Sequence, residues 1–295
     1  MLIQRYEKGI SSRLFDIINI MLMLFVIIAT LYPLWHVAVI SVSDGKAVMR
    51  GDVGLLPVDF TLDSYRLTLR DKLIVRSLWN SISYTGIGTL LNLTMTALCA
   101  YPLARPRFSG RKVFTWMIVG TMLFSGGLIP LYLVVLRVGL QNTMWAFLLP
   151  GAISAWLMFI MRTSFQQIPE DVYDAATIDG ANDLQTMVRI ILPMSKATFA
   201  TLLLFYAVAI WNSWFMPLIF LDERTKHPIQ LMLRAIVLHG RFEQAGEMGG
   251  ASQFTIVEQT LKYATIMIGI LPILFVYPFV QKHFVKGVMI GSIKG

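Results

Sequence analysis

Charge is scarce in this sequence, and so is cysteine. Asp, Glu, Lys and Arg make up 14% of the 295 residues, against about 25% in soluble globular proteins. Hydrophobic residues reach 56% and the mean hydropathy is +0.65. That balance excludes a soluble globular enzyme and a disordered chain. The single cysteine, Cys99, excludes a disulfide scaffold; it lies in an apolar run and reads as a small buried residue, not a reactive thiol. There is no G-x-x-x-x-G-K-[ST] phosphate loop, because Gly45-Lys46 lacks both the earlier glycine and the following Ser or Thr. His36, His227, His239 and His283 stand isolated, without ligand spacing or a nucleophile beside them. No catalytic residue, metal or bound cofactor is expected of this chain. His36, near one end of the first apolar run, reads as an interfacial or helix-contact residue.

What the sequence has is apolar length. A helix needs about 20 apolar residues to cross a bilayer, and six charge-free runs reach about that length: Ile17–Val42, Ser77–Ala104, Val113–Leu136, Thr143–Met161, Ala197–Leu221 and Tyr263–Val280. They predict an all-α, polytopic membrane protein with six transmembrane helices. The first run, preceded by Arg5, Lys8 and Arg13, exceeds the 7 to 15 residues of a secretory signal and ends in no small-x-small site, so it reads as a retained helix. The chain then divides into residues 1–76, with the first span and first outer loop; a five-helix core over 77–285 with a long loop at 162–196; and a tail, 286–295.

The net charge of +8 forms no basic stripe interleaved with aromatics, which argues against nucleic acid and for membrane topology. The short second loop, Arg105–Lys112, holds four basic residues, whereas the third holds one, Arg137. The second loop therefore belongs in the cytoplasm, with both termini and the 162–196 loop. Counting every segment gives 13 basic residues inside and 12 outside, so the assignment rests on the short second loop.

The 162–196 loop reverses the local sign. Five of the 17 acidic residues fall between Glu170 and Asp183: Glu170, Asp171, Asp174, Asp179 and Asp183. Residues 170–178 favour a helix, Gly180 breaks it, and 182–192 predict a second, amphipathic helix with Leu184, Met187, Val188 and Ile191 near one face. A helix lying on anionic headgroups would be rich in Lys and Arg, so this acidic knob reads as a docking element.

The knob carries a recognisable pattern. Asp174-Ala175-Ala176, Asp179-Gly180-Ala181 and Ile190-x-Leu192-Pro193, introduced by Phe165-x-x-Ile168-Pro169-Glu170, resemble the coupling motif of ABC importer permeases, with Asp174 where that motif has glutamate. The ending Gly287-Val-Met-Ile-Gly291-Ser-Ile-Lys294-Gly295 is similar to the tail of maltose-type carbohydrate permeases. Phe124-Ser-Gly-Gly127-Leu-Ile-Pro130, Leu140-Gln-Asn-Thr-Met-Trp145 and Trp211-Asn-Ser-Trp214-Phe are similar to a complex-oligosaccharide subgroup that includes uronide and alginate-like substrates. The resemblance covers about residues 12–295. It implies a type I importer permease in a bacterial inner membrane, paired with a second homologous permease subunit, with two copies of a cytoplasmic ATP-binding subunit that hold ATP and Mg, and served by an extracytoplasmic solute-binding protein. In that family the knob docks in a groove of the ATPase subunit and transmits its closure to the spans. The tail residues Gly291, Lys294 and Gly295 are implied to run along the ATPase interface.

The competing class is an ion-coupled secondary transporter of sugars, which needs intramembrane carboxylates and usually shows an inverted repeat; neither occurs here. Candidate pathway residues are the polar and aromatic groups inside the runs. Asn92 suits helix packing or a wet cavity. Trp211, Asn212 and Trp214 suit either a sugar-lining cluster or an interfacial belt. Pro130, Pro150, Pro217 and Pro272 predict kinks. The outer loop 43–76, with five Asp and six Lys or Arg, suits a binding-protein contact or a solvated loop.

Overall fold

The first two apolar runs each form one long helix. The structure is a computed structural model and describes residues 10–239 and 259–275. Helix α1, Ile10–Ser41, runs for 32 residues, about 48 Å at 1.5 Å per residue, with Pro33 inside it. Asp44 caps α2, Gly45–Arg50, by accepting the Lys46 N–H at 2.9 Å, and α3 follows at Asp63–Arg70. Helix α4, Lys72–Ala104, is 33 residues long. Its cap, Asp71, accepts the Leu73 and Ile74 N–H groups at 2.8 and 3.3 Å, satisfying donors the first turn leaves free.

The third run is not one helix. It forms α5, Arg111–Leu123, and α6, Leu128–Arg137, bent by 115° at Phe124-Ser-Gly-Gly127, where paired glycines disfavour continuing the helix. The fourth run likewise divides into α7, Trp145–Leu148, and α8, Ala155–Gln166, around Pro150-Gly151. The knob contains α9, Glu170–Ile178; α10, Asp183–Thr186; one π-helical turn, Met187–Ile191; and α11, Leu192–Met194. An 88° bend leads into α12, Lys196–Trp211. The fifth run stops there and resumes as α13, Phe215–Phe220. A 3-10 turn at Arg224–Lys226, α14 at Ile229–His239 and α15 at Gln259–Phe275 complete the described chain.

Among the described residues, α1 and α4 alone are long and apolar enough to cross a membrane singly, and counting each bent pair as one span brings the number to four. Only the first part of the sixth run lies within α15; residues 276–280 fall outside the described residues. Of the four prolines expected to kink spans, Pro130 and Pro217 instead sit in the first turns of α6 and α13. A missing N–H costs nothing at that position.

Internal packing divides the described chain into two units, 10–70 with 239 and 259–268, and 71–238 with 269–275. In the second, α4, α8 and α12 enclose a core in which Ala100, Met158, Phe165, Ile191 and Leu202 are almost wholly buried. Small residues on α4 allow the helices to approach. At Gly88 a Cβ would lie 2.7 Å from Leu148 Cδ2 and 2.8 Å from Ile210 Cδ1.

Candidate functional site

The knob is built by local signals. Glu170 and Asp171 occupy the first turn of α9, where carboxylates meet the positive end of the helix dipole. The helix ends at Asp179, and Gly180 takes φ +77°, a left-handed conformation that costs other residues about 1–2 kcal/mol. The Ala181 N–H then returns to the Ala176 carbonyl at 2.9 Å. Asn182 starts the next helix with a capping box: its side chain accepts the Gln185 N–H at 2.9 Å, and Gln185 accepts the Asn182 N–H at 3.1 Å.

The second helix has two apolar faces, where the sequence pattern suggested one. Met187 and Ile191 are buried in the core, whereas Leu184 and Val188 stand 60% and 50% exposed. Each pair is spaced by four residues and so shares a face of its own. The alanines part in the same way: Ala176 is buried against the chain's own core and Ala175 is exposed. Ile190 and Leu192 pack partly buried on the core, and Pro193 is exposed. The outward surface therefore holds Ala175, Ile178, Leu184 and Val188, with Ile178 85% exposed. Glu170, Asp171, Asp179 and Gly180 of the same knob are exposed as well. Exposed apolar residues accompanied by carboxylates suit docking on a protein with complementary basic groups.

A clasp that sequence reasoning missed fixes this knob to the end of α4. Arg107 Nη1 pairs with Asp174 Oδ1 at 3.0 Å. Arg105, the residue that ends α4, lies with its guanidinium carbon 4.3 Å from the Tyr173 ring centroid and its Nη1 3.7 Å from Asp183 Oδ1. Arg105 Nη1 also donates to the Tyr101 hydroxyl at 3.1 Å. Two of the five carboxylates expected to meet a partner are thus engaged within the chain itself. Burial, reinforced by the Tyr101 phenol and opposed by the Arg105 charge, pushes the Tyr173 phenol above its ordinary range. It stays protonated and donates to the Phe165 carbonyl at 3.3 Å. A cleft of about 250 Å³ beside the clasp is lined by Arg105, Arg107, Arg111, Glu170 and Asp174 among others. The signal available in the sequence was charge complementarity between the basic second loop and the acidic knob, both assigned to one side of the membrane.

The candidate pathway residues do not gather in one place. Asn92 lines a cavity of about 270 Å³ with Phe147, Ser154, Phe205, Tyr206 and Ser213. Its Oδ1 is buried with no hydrogen-bond partner. Trp211, Asn212 and Trp214 do not line this cavity. Trp211 is buried and donates from Nε1 to the Gly269 carbonyl at 3.2 Å, which makes it a packing residue. Asn212 is exposed at the end of α12, and the Trp214 ring is covered by Arg234, whose guanidinium carbon is 3.8 Å from its centroid. Tyr206 organises the cavity wall: its hydroxyl is 2.6 Å from Thr96 Oγ1 and accepts the Ser154 N–H at 3.1 Å. Gly291, Lys294 and Gly295 lie outside the described residues.

The segment Leu140–Trp145, singled out in the sequence, meets the stretch 222–227 away from the knob. The Asn142 side chain donates to Glu223 Oε1 at 2.6 Å, and Gln141 Nε2 donates to Asp222 Oδ2 at 3.1 Å. The hydrogen bond from Lys226, then that from Asn142, holds the Glu223 carboxyl below its usual range. Helix α4 anchors the same strip, since Asn80 Nδ2 donates to the Thr225 and His227 carbonyls at 2.8 and 3.1 Å. His227 is depressed below its ordinary value, chiefly by burial, and its Nε2 lies 3.1 Å from the Leu221 carbonyl.

Residues 3–290 match the family model described as "Binding-protein-dependent transport system inner membrane component". Similar curated proteins include the polygalacturonan/rhamnogalacturonan transport system permease protein YtcP of Bacillus subtilis, 41% identical over 97% of this chain and 100% of the relative. Protein LplC of the same organism is 39% identical over 97% of this chain and 96% of its own. Among solved structures, a chain of a bacterial ABC transporter involved in the import of the acidic polysaccharide alginate superposes with a TM-score of 0.88 at 35% identity, covering 95% of this chain and 99% of that one.

Proposed function

Because this chain belongs to the family of binding-protein-dependent transport system inner membrane components, we propose that it carries acidic, uronate-rich oligosaccharides as one half of the transmembrane pathway of an ATP-driven importer. The permease assignment rests on the family match over residues 3–290. The substrate class is supported by similarity to permeases named for polygalacturonan and rhamnogalacturonan import and for alginate import. In this reading a second homologous permease completes the pathway, two ATP-binding subunits work in the cytoplasm, and a solute-binding protein delivers cargo from the other side. ATP and Mg belong to the ATPase subunits.

The observation that carries the coupling mechanism is the divided surface of the knob. Tyr173, Ala176, Met187 and Ile191 lock it onto the permease core, while Ala175, Ile178, Leu184 and Val188 remain outward. ATP-driven closure of the ATPase pair moves the docked knob, and the arginine clasp passes that movement to α4. The spans then change from inward-facing to outward-facing, and hydrolysis resets them. The ion-coupled alternative has no support in the sequence, where the six runs contain no carboxylate.

The test uses the complete importer in vesicles. Gly180→Pro should abolish ATP-dependent uptake of oligogalacturonate, with normal membrane insertion of the permease. Normal uptake by this variant would overturn the coupling role. Preference for a neutral malto-oligosaccharide would overturn the substrate class, and gradient-driven uptake without the ATPase subunits would revive the ion-coupled reading.

A further inference from the structure

Three cations surround a cleft that none of the knob's carboxylates lines. The cleft, about 640 Å³, opens beside the first turns of α5 and is bordered by Arg111, Lys112, Thr115, Trp116, Phe108 and Arg162 among others, with no Asp or Glu in its lining. Arg162 Nη1 donates to Thr115 Oγ1 at 3.4 Å, and its Nε is buried without a hydrogen-bond partner. Burial and then the nearby Arg111 charge lower the basicity of the Arg162 guanidinium. Like charges around a partly buried cleft are costly unless an anion joins them. On its other side Arg111 borders the clasp cleft with Glu170 and Asp174, but no ion pair links it to either among the described residues, and Asp174 is already held by Arg107. The first turn of α5 contributes no acidic residue of its own.

The surroundings say what kind of anion fits. Immediately along α5 from the cations, Val113, Trp116 and Met117 are 63%, 73% and 62% exposed. This apolar face belongs to the third charge-free run, and an exposed indole beside basic residues is the composition of a membrane interface. A soluble anion would use the cations and leave the apolar face unexplained. A diacyl lipid with a phosphodiester headgroup uses both.

We propose that Arg111, Lys112 and Arg162 form a binding site for the headgroup of an anionic phospholipid, whose acyl chains lie along Val113, Trp116 and Met117 of α5. The site neighbours the Arg107–Asp174 pair, separated by Pro106 and Arg111, which border both clefts. It does not depend on which sugar the importer carries.

The test compares retained lipid on the intact importer after extraction from vesicles of phosphatidylcholine and phosphatidylglycerol at 7:3, read by native mass spectrometry. The wild-type complex should retain phosphatidylglycerol in preference to phosphatidylcholine. Arg111→Gln with Lys112→Gln should lower that retention by about 30-fold, roughly fivefold per cation, whereas Arg137→Gln, outside the cleft, should leave it unchanged. Arg162→Lys provides a variant that keeps the charge and loses the fork, and it should show an intermediate loss. ATPase activity of each variant in detergent reports whether the complex is intact. Equal retention of the two lipids, or undiminished retention in the double variant, would overturn the proposal. So would displacement of the lipid by millimolar inorganic phosphate, which would make this a soluble-anion site.

Discussion

Helices α1 and α4 are nearly equal in length, 32 and 33 residues, and both are apolar enough to span a bilayer, yet they are built for different surroundings. In the most apolar 18-residue window of α1 nothing is buried, against 56% for α4. Their sequences explain the contrast. Most residues in the window of α1 are large and apolar and face every direction, so no face is specified for a neighbour. Helix α4 alternates bulky residues with Gly88, Ala97 and Ala100, where other helices approach, and with Asn80, Tyr84 and Tyr101, which bond to distant segments. Hydrophobicity puts a helix in the membrane, but small and polar residues decide what it touches there.

That contrast can be broken by experiment, most severely at Gly88. Gly88→Leu forces a side chain into the space held by Leu148 and Ile210, and overpacking of this kind costs about 1–3 kcal/mol. The expected outcome is a large loss of folded permease, measured by size-exclusion yield; an unchanged yield would show that α4 does not depend on close approach. Arg105→Ala comes next. It removes a cation–π contact and a hydrogen bond, each worth about 1 kcal/mol, so uptake per ATP hydrolysed should fall at least about fivefold while the knob still binds the ATPase. Arg105→Lys should recover only part of the ratio, and an unchanged ratio would remove the clasp from the coupling path. The smallest effect belongs to α1: Leu24, 52% exposed, replaced by Ala should change thermal stability by less than about 0.5 kcal/mol. A larger loss would show that another subunit packs on α1, and the contrast with α4 would then vanish in the assembly.

How far the sequence reveals this molecule depends on how local the governing physics is. The knob was legible because its signals lie within a few residues: carboxylates in the first turn of α9, a glycine at the left-handed position, and Asn182 with Gln185 as a reciprocal cap. The break at Phe124-Ser-Gly-Gly127 was not, since hydropathy averages over the paired glycines and reads Val113–Leu136 as continuous. The division of Leu184 and Val188 from Met187 and Ile191 was hidden for another reason. All four are apolar residues of one short amphipathic segment, and only the position of the core separates the faces. Trp211 stayed open between two readings, because its role as donor to Gly269 depends on a residue 58 positions away.

The π-helical turn at Met187–Ile191 has a consequence for how this protein tolerates change. Such a turn accommodates one residue more than the α-helical path would. Everything after it, Leu192-Pro193 and the bend into α12, therefore keeps the phase that an α-helix one residue shorter would give. Deleting one residue between 187 and 191 would let the turn close as ordinary α-helix and leave Leu192 on the core, whereas inserting one would rotate the following segment by about 100° and carry Leu192 off it. The segment should therefore accept the loss of a residue more readily than the gain of one.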